Sequence, residues 1–432
     1  MTAPDHTGEN EDSEDSEDSR GGGGPGGSRR AVRPHEQGCP VHTELEGARA
    51  VRGHRAPRAW RIRSYHGARE VLRRREETTQ AGFTSEAIPR GWLRHHPILL
   101  SDGPGHDDQR RKVGRFFAPQ QVAERSGPTM RRLAERLVGE AVRDGGCDLD
   151  DLALLYSVAV TREIVGLTEA PLEAMSRRLV RFMRQPPFDL TRAHWGRTPR
   201  QWATAALRGL GPLAAFHLRD VLPAIRRRRR EGRDDVITHL LEQGYTRSDV
   251  LVECVTYATA GMITTREFIV MACWHLLEDD DLRERFRAGG DEERGAILRE
   301  IIRLEPVVGH LYRRAHEPFD VEDGPAGAMG VVPGDLLDLC IREANADPEV
   351  VGEDPLSLCP HRELPRGAGA AGLSFGAGAH RCPGEHLAIT ETAVLLGRLF
   401  EASPTLLRAP EVSWEDLVAG YRLRGMRLGF PA

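Results

Sequence analysis

The chain has 432 residues, which is long enough to bury a large hydrophobic core. Its formal net charge of −5 excludes the strongly basic balance that is typical of nucleic-acid-binding proteins, and its apolar stretches are too short to span a bilayer. Seven cysteines, an odd number with no pair at CxxC spacing, predict a reduced intracellular set. With no signal-peptide pattern at the N-terminus, we expect a cytoplasmic protein.

Residues 1–38 are predicted to form a disordered tail. They contain an acidic run at 11–19 and a glycine cluster at 21–24, and such a composition cannot bury enough apolar surface to fold. An acidic tail can compete for a basic docking face or act as an inert solubilising segment, and the second role is preferred. Residues 39–432 are predicted to form one domain, because no linker divides them.

Helical periodicity dominates the predicted domain. A strand is predicted at 59–65 and a short helix at 67–75, and further strands are predicted around 319–321 and 330–332. The longest predicted helix is apolar for most of its length, as expected of a helix through the centre of a large core. The fold class is therefore mainly α with small β-sheets. The longer predicted helices are 129–143, 149–165, 172–184, 200–230 and 248–277.

The segment 374–384 carries the most informative pattern, Ser-Phe-Gly-Ala-Gly-Ala-His-Arg-Cys-Pro-Gly. Cys382 lies here in a glycine-rich loop just before a predicted helix, where backbone N–H groups and the helix dipole stabilise a thiolate. Phe375 can pack against this loop, and Gly378 and Gly384 permit backbone conformations that other residues avoid. A buried cysteine acting as a small hydrophobe is the alternative. We interpret Cys382 as a metal ligand.

This segment resembles the haem-binding loop of the cytochrome P450 family, in which such a cysteine is the proximal iron ligand. The resemblance covers about residues 40–432. It implies the cytochrome P450 fold, haem b as cofactor, Cys382 as the metal ligand and His380 as a propionate contact. It also implies a monooxygenase that uses dioxygen and electrons from a separate ferredoxin and ferredoxin reductase. Arginines near Arg110 and Arg111 are candidates for docking an acidic ferredoxin, and a monomer is expected.

Two further motifs match the same family in the expected order. Glu300-Ile301-Ile302-Arg303 matches its Glu-x-x-Arg helix, and Arg362 fills the position of the arginine that completes a buried structural network. Alone, a glutamate and an arginine three residues apart would be read as a surface ion pair. The positions of the family's remaining propionate anchors are filled by His106, Arg110 and Arg313.

The central helix contains Ala260-Gly261-Met262-Ile263-Thr264-Thr265, which matches the oxygen-binding groove of the family. Gly261 removes side-chain bulk where dioxygen must fit. Thr264 can bond to the carbonyl one turn earlier and open a local distortion. Ala260 and Thr265 complete this candidate catalytic set. The family has an acid at the position of Ile263, where it helps to deliver protons, and isoleucine cannot relay a proton.

Three explanations stay open for Ile263. Water ordered by Thr264 and Thr265 can deliver protons, with Glu267 or a substrate group as their source. The substrate itself can complete the relay. Alternatively, the enzyme favours another reaction, such as oxidative coupling of aromatic rings. The first two are preferred because Thr264 is retained.

Two other functional classes also stay open for the whole protein. One is a haem-thiolate protein that senses or transports without turnover, and the other is an enzyme driven by peroxide.

Candidate substrate contacts follow from position in the resemblance only. They are Thr256, Tyr257 and Ala260 on the central helix, Gly309, His310 and Leu311 after the Glu-x-x-Arg helix, and the loop at 83–93. His310 is polar in a wall that is apolar in most of the family, which indicates a substrate with a hydrogen-bonding group. We expect a small-molecule substrate, a secondary metabolite, and its hydroxylation.

Restoring an acid at position 263 tests where the proton route is decided. We expect Ile263→Asp to change the fraction of electrons that is lost as hydrogen peroxide, because a carboxyl group can relay protons and an isoleucine cannot. Peroxide and product are measured against NADPH consumed. Unchanged coupling and an unchanged product pattern would show that position 263 does not decide the route.

Overall fold

The computed structural model describes residues 58–82, 93–186, 188–190 and 197–431. The predicted tail (1–38) and nearly all of the predicted substrate loop (83–93) lie outside these residues. The helices are α1 (Tyr65–Arg73), α2 (Pro104–Gly114), α3 (Gly127–Arg143), α4 (Leu149–Val165), α5 (Leu172–Met183), α6 (Pro199–Phe216), α7 (Leu222–Arg230), α8 (Val236–Glu242), α9 (Arg247–Tyr257), α10 (Thr264–Glu278), α11 (Asp280–Ala288), α12 (Asp291–Leu304), α13 (Ile341–Asn345), α14 (Pro348–Val351) and α15 (Glu385–Glu401). The mainly helical class predicted from the sequence is confirmed.

Short strands form small sheets. They are β1 (Ala59–Ile62), β2 (Thr78–Ala81), β3 (Gly146–Asp148), β4 (His310–Ala315), β5 (Phe319–Glu322), β6 (Ala328–Val331), β7 (Leu336–Cys340), β8 (Thr405–Arg408), β9 (Glu411–Glu415), β10 (Gly420–Arg424) and β11 (Arg427–Gly429). One sheet has the order β1-β7-β4-β2, in which only the β1–β7 pair is parallel. A second has the order β3-β11-β8, and β5–β6 and β9–β10 form two-stranded sheets.

The first predicted strand is shorter than the apolar alternation indicates. β1 ends at Ile62, and the Ser64 hydroxyl accepts a hydrogen bond of 3.1 Å from the Gly67 N–H. This bond caps α1, so the chain enters the helix at Tyr65 instead of continuing as a strand.

The central helix is interrupted by a π-helical segment. α9 and α10 are joined through Ala258–Ile263, where the hydrogen-bonding pattern widens by one residue. The Ser157 hydroxyl of α4 donates 2.8 Å to the Met262 carbonyl of this segment. Residues 265–276 are all buried, so α10 runs through the main core as predicted.

Glu300 and Arg303 form a buried charge pair on α12. The Glu300 carboxylate accepts two hydrogen bonds of 2.7 Å from Arg303, whose side chain is fully buried. The same carboxylate accepts from Arg362 at 3.3 Å and from the Cys359 N–H at 3.1 Å. The predicted association of Glu300, Arg303 and Arg362 is therefore present in the structure.

Asn345 connects this network to the loop that carries Cys382. Its side-chain amide donates 2.9 Å to the Arg303 carbonyl and 2.8 Å to the Ser374 hydroxyl, and it accepts 2.6 Å from the Leu373 N–H. Ser374 in turn donates 2.7 Å to the Ile302 carbonyl. The start of segment 374–384 is thus fixed against the end of α12.

Two expectations from composition can be compared with the described part of the chain. None of its helices combines the length and the apolar character that crossing a membrane requires. Its cysteines are all free thiols: Cys147, Cys254, Cys273, Cys340, Cys359 and Cys382.

Removing the Glu300 charge tests the buried network. We expect Glu300→Gln to lower the free energy of unfolding by about 3–5 kcal/mol, because it leaves the buried Arg303 guanidinium without its counter-charge. Urea unfolding measures the change. The matched control is Glu293→Gln on the same helix, whose partners Arg285 and His361 are 48% and 51% exposed, and it should cost less than about 1 kcal/mol. Equal losses in the two variants would contradict a special role for the Glu300 network.

Candidate functional site

The Cys382 loop is held by its own backbone. The Cys382 N–H donates 2.7 Å to the Phe375 carbonyl, and a 3-10 turn at Gly378–His380 lies between them. Gly378 has a φ of 67°, and a Cβ at this position would lie 2.4 Å from the Leu72 carbonyl oxygen of α1. Only glycine fits this conformation and this close approach. The Phe375 ring is partly buried and packs against the main core.

The Cys382 sulfur lies beside the N-terminus of α15. Burial raises the pKa of its thiol, whereas the Gly384 N–H that bonds to the sulfur and the Arg110 guanidinium lower it. Cys382 is nevertheless exposed to a cleft of about 430 Å³ that is also lined by Arg110 and Arg381. Positive charge and backbone donors therefore surround a sulfur that a metal can reach.

Two histidines and an aspartate meet next to this loop. The rings of His106 and His380 lie 4.4 Å apart, and His380 Nε2 is 2.8 Å from Asp102 Oδ1. Burial opposes ionisation of Asp102, but the hydrogen bond from His380 and nearby positive charge hold the pKa of its carboxyl below the usual value. Burial and the neighbouring His380 lower the pKa of His106. His106 Nε2 is buried and has no hydrogen-bond partner among the described residues.

Arg110 and Arg313 lie close enough to this cluster for their charges to lower the pKa values of His106 and Asp102 respectively. Arg110 of α2 donates to the Arg381 carbonyl in the Cys382 loop. Arg313 of β4 is buried and donates to the Gln80 side chain. Burial lowers the pKa of Arg313 to about 10, and the negative charge of Asp102 opposes this effect. The structure thus brings the predicted propionate anchors together.

The groove residues lie at the π-helical segment of the central helix. The Thr264 hydroxyl donates 2.6 Å to the Ala260 carbonyl, as the sequence predicts. Ala260 is exposed and Thr264 is partly exposed, whereas Met262 and Ile263 are buried, so the predicted groove is the open face of this helix. A Cβ on Gly261 would touch the side chain of Thr161 at 3.4 Å.

Ile263 and Glu267, close to the groove in sequence, lie in contrasting surroundings. Ile263 lines a small apolar pocket with Phe182 and Val255. Glu267, considered above as a proton source, accepts hydrogen bonds from Arg266, Arg424 and the Leu423 N–H. The oxygens of this carboxylate are thus already bonded to two guanidinium groups and a backbone N–H, and a role for Glu267 as a proton source stays a prediction.

The predicted substrate contacts do not lie in one common environment. Thr256 donates to the Val252 carbonyl one turn earlier, at 3.0 Å, and the Tyr257 ring stacks on Phe117 at 6.2 Å. Leu311 faces the Cys382 loop, since a Cβ on Gly376 would lie 3.8 Å from its side chain.

His310 occupies the other face of β4. Its Nδ1 lies 2.7 Å from Asp338 Oδ1 on the neighbouring strand, and the residue is buried. Successive side chains of a strand point to opposite faces, so His310 points away from the side on which Leu311 meets the Cys382 loop. Its polar character is therefore explained by Asp338 without a substrate.

The segment that carries these features matches a known family. The family model described as Cytochrome P450 matches residues 295–402, which include Glu300 and Cys382. The cytochrome P450 monooxygenase PikC of Streptomyces venezuelae is 29% identical over 400 residues, which cover 88% of this chain and 86% of that protein. The chain belongs to the cytochrome P450 family.

Two further known proteins are similar to this P450. The vitamin D(3) 25-hydroxylase of Pseudonocardia autotrophica is 27% identical over 329 residues, which cover 74% of this chain and 73% of that protein. The crystal structure of CalO2 shares the fold with a TM-score of 0.72 at 21% identity, covering 93% of this chain and 99% of that one. This P450 is an oxidoreductase of the monooxygenase class, and its cofactor is haem b.

The residues of this P450 fit that cofactor. Cys382 offers a sulfur at an open cleft, and Ala260 on the central helix is exposed. His106 Nε2 is a buried group with unused hydrogen-bonding capacity, as expected where a propionate is to be bound. Arg313 adds a buried positive charge nearby.

Some site residues were missed by the sequence reasoning. Asp102 precedes a predicted anchor but was not assigned a role, although it binds His380. Asn345 was not assigned a role either, and it supports the Cys382 loop. Glu391 follows Cys382 by two and a half helical turns and is buried, which a charged residue within an apolar helix could have indicated.

Replacing Gly378 tests the fit of the Cys382 loop. We expect Gly378→Ala to reduce stability by about 1–3 kcal/mol, because alanine is strained at this φ and its Cβ would collide with the Leu72 carbonyl. The haem content after purification should fall as well. The matched control is Gly369→Ala, where the nearest atom lies 3.8 Å from the added Cβ and φ is not positive. Normal haem content and stability of Gly378→Ala would contradict this account.

Proposed function

We propose that this P450 hydroxylates a small-molecule secondary metabolite, with dioxygen and electrons from a ferredoxin and a ferredoxin reductase. The observation that carries the proposal is that the chain has both a Cys382 sulfur at an open cleft and a central helix with Ala260 exposed, Thr264 retained and no side chain at Gly261. A protein that only stores or senses haem does not need a groove that admits dioxygen. The names of PikC and of the vitamin D(3) 25-hydroxylase support the class of reaction.

Haem bound through Cys382 would supply the oxidising chemistry, and the thiolate ligand favours O–O cleavage. His106, Arg110, Arg313 and His380 would hold the propionates. Glu300, Arg303 and Arg362 would keep the Cys382 loop in place without touching the reactants. Thr264 would hold water at the Ala260 carbonyl, and Thr265 lies next to it on the buried side of the helix.

A cationic face around Cys382 supports the proposed redox partner. Arg110, Arg299 and Arg381 line the same cleft, where Glu385 is the single acid among the lining residues. Arg111 is exposed on the same helix as Arg110, although Asp108 binds it at 2.6 Å. An acidic ferredoxin would be attracted to such a face, and its association rate would fall as the salt concentration rises.

We propose that three residues face the substrate. Leu311 faces the Cys382 loop, and Thr256 and Ala260 lie one turn apart on the central helix. Tyr257 is stacked on Phe117, and His310 is bonded to Asp338, so we place neither against the substrate.

The reduced, carbon-monoxide-bound absorption spectrum tests this function. We expect a thiolate-type spectrum for the haem-loaded protein and its loss in Cys382→Ser, since a hydroxyl is a poor iron ligand. NADPH consumption with a surrogate ferredoxin and a substrate library should then yield products that carry one added oxygen atom. Coupled dimers instead of hydroxylated products would favour oxidative coupling. A thiolate-type spectrum without any turnover would favour a sensing or transport role.

A further inference from the structure

A buried glutamate outside the site described above joins the central helix to two other parts of the chain. Glu253 of α9 is fully buried, and its Oε1 accepts hydrogen bonds from the Ile98 N–H at 2.9 Å and from the Gln109 side chain at 2.6 Å. Gln109 lies on α2, and Ile98 lies in the segment 93–103 that leads into α2. One carboxylate oxygen therefore connects both α2 and this segment to the central helix.

A second acid on the same helix face holds the start of that segment. Asp249, one turn before Glu253, accepts from the Arg94 N–H at 3.1 Å and lies 3.2 Å from His95 Nδ1. Residues four apart on a helix share a face, so the two acids bind successive parts of the segment. Near its other end Asp102 binds His380 in the Cys382 loop, so the segment extends from the central helix to that loop.

The helix that Glu253 contacts carries two of the proposed propionate anchors. His106 and Arg110 lie on α2, three residues before and one residue after Gln109. Arg110 is also close enough to Tyr257, one turn after Glu253, for its positive charge to act on the pKa of that tyrosine. A displacement of α2 from the central helix would therefore move both anchors.

The surroundings of Glu253 favour its neutral form. Burial, together with the negative charge of Asp249, raises the pKa of Glu253 to about 7, although its two hydrogen bonds oppose this effect. Its Oε2 and the Tyr257 hydroxyl are both buried and have no partner among the described residues. A buried carboxylate with an unpaired oxygen is costly, so ionisation favours an arrangement in which water reaches Glu253.

The other titratable groups that face Glu253 keep their charge state near neutral pH. Burial, and after it the charge of Glu253, raise the pKa values of Tyr257 and Cys254 on α9 and of Tyr245 just before α9, so all three stay neutral. Burial also opposes ionisation of Asp249, but its hydrogen bonds hold the pKa of its carboxyl below the usual value. Asp249 therefore stays charged.

We propose that Glu253 is a positioning residue for the haem-anchoring helix of this P450. Through Gln109 and the Ile98 N–H it fixes α2 against the central helix, and it loosens this contact when it ionises. The proposal rests on the proposed function, which assigns His106 and Arg110 to the haem propionates.

The direction of the pH dependence follows from the packed arrangement. The buried Glu253 has a pKa of about 7 instead of the ordinary 4.5, so the packed state binds a proton that a solvated, opened state releases. Opening should therefore become more frequent as the pH rises between these two values, and it should level off above the higher one.

Hydrogen exchange of the haem-loaded protein tests the contact without turnover. We expect the Ile98 amide and the amides of α2 to open about tenfold more often at pH 7.5 than at pH 5.5, after correction for intrinsic exchange rates. Glu253→Gln keeps an acceptor for both donors but cannot ionise, so its opening should not depend on pH in this range. A wild-type pH profile in Glu253→Gln would overturn the proposal.

His95→Gln is the matched control. His95 lies on the same segment, 3.2 Å from Asp249, and histidine is a side chain that titrates in the same pH range. This variant should keep the wild-type pH dependence of opening. If His95→Gln abolishes the dependence and Glu253→Gln retains it, the titrating group is His95, and the proposed role of Glu253 is refuted.

Transfer of haem to excess apomyoglobin tests the consequence for the cofactor. The wild type should lose haem several times faster at pH 7.5 than at pH 5.5, and Glu253→Gln should lack most of this change. Glu253→Leu leaves the Gln109 amide and the Ile98 N–H without an acceptor, so it should lose haem faster at both pH values. Adding Gln109→Leu should restore part of the retention, because replacing both polar partners is less costly than removing one. Additive losses in the double variant would contradict a coupled pair.

The carbon-monoxide spectrum separates failure of this proposal from failure of the proposed function. A missing thiolate-type spectrum in the wild type would refute the proposed function. A normal spectrum with pH-independent exchange would refute only the role of Glu253. Exchange that depends on pH while haem transfer does not would show that α2 moves without affecting the haem, and this result would also overturn the positioning role.

Discussion

The carboxylate of Glu300 fixes the segment that presents Cys382. It is buried, and two arginines and a backbone N–H donate to it. The free-energy cost of burying its charge is therefore offset only while all of these partners stay in place. The position of Arg303 then determines where Asn345 can bind, since the Asn345 amide donates to the Arg303 carbonyl. Asn345 in turn holds the start of segment 374–384. The geometry of the sulfur therefore depends on a charge pair that lies outside the reactive centre.

The central helix shows how Ile263 can be accommodated beside Thr264. Consecutive helical residues point in directions about 100° apart, so one can face the groove while the next faces the neighbouring helices. Ile263 enters an apolar pocket whose wall includes Arg178, and Asp220 binds that arginine at 2.5 Å. Because Asp220 already neutralises Arg178, the pocket contains no unbalanced positive charge that would call for an acid at 263. An apolar Ile263 beside the neutralised Arg178–Asp220 pair therefore leaves no unpaired charge in this pocket.

Features that depend on local sequence could be predicted, and features that depend on distant partners could not. α4 begins and ends at the predicted residues, 149 and 165, because its apolar period and the following Gly166 are both local signals. Asp102 could not be assigned to His380, which lies 278 residues away. The contact of His310 with Asp338 could not be predicted either, since the register of β4 with β7 decides it. Sequence spacing predicted the groove at Ala260 and Gly261 but not the buried Glu391 of α15.

The donors next to Cys382 exceed the acceptors that the protein itself supplies. Arg110, Arg313, His106 and His380 converge there, where Asp102 lies 2.8 Å from His380 Nε2 and Asp107 lies 3.2 Å from His106 Nδ1. These two carboxylates face two guanidinium groups and two imidazoles, and the His106 Nε2 is left without a partner among the described residues. Two propionates would supply the missing negative charge. Since a ligand that binds only the folded state stabilises it, haem binding and the stability of α2, β4 and the Cys382 loop should be thermodynamically linked.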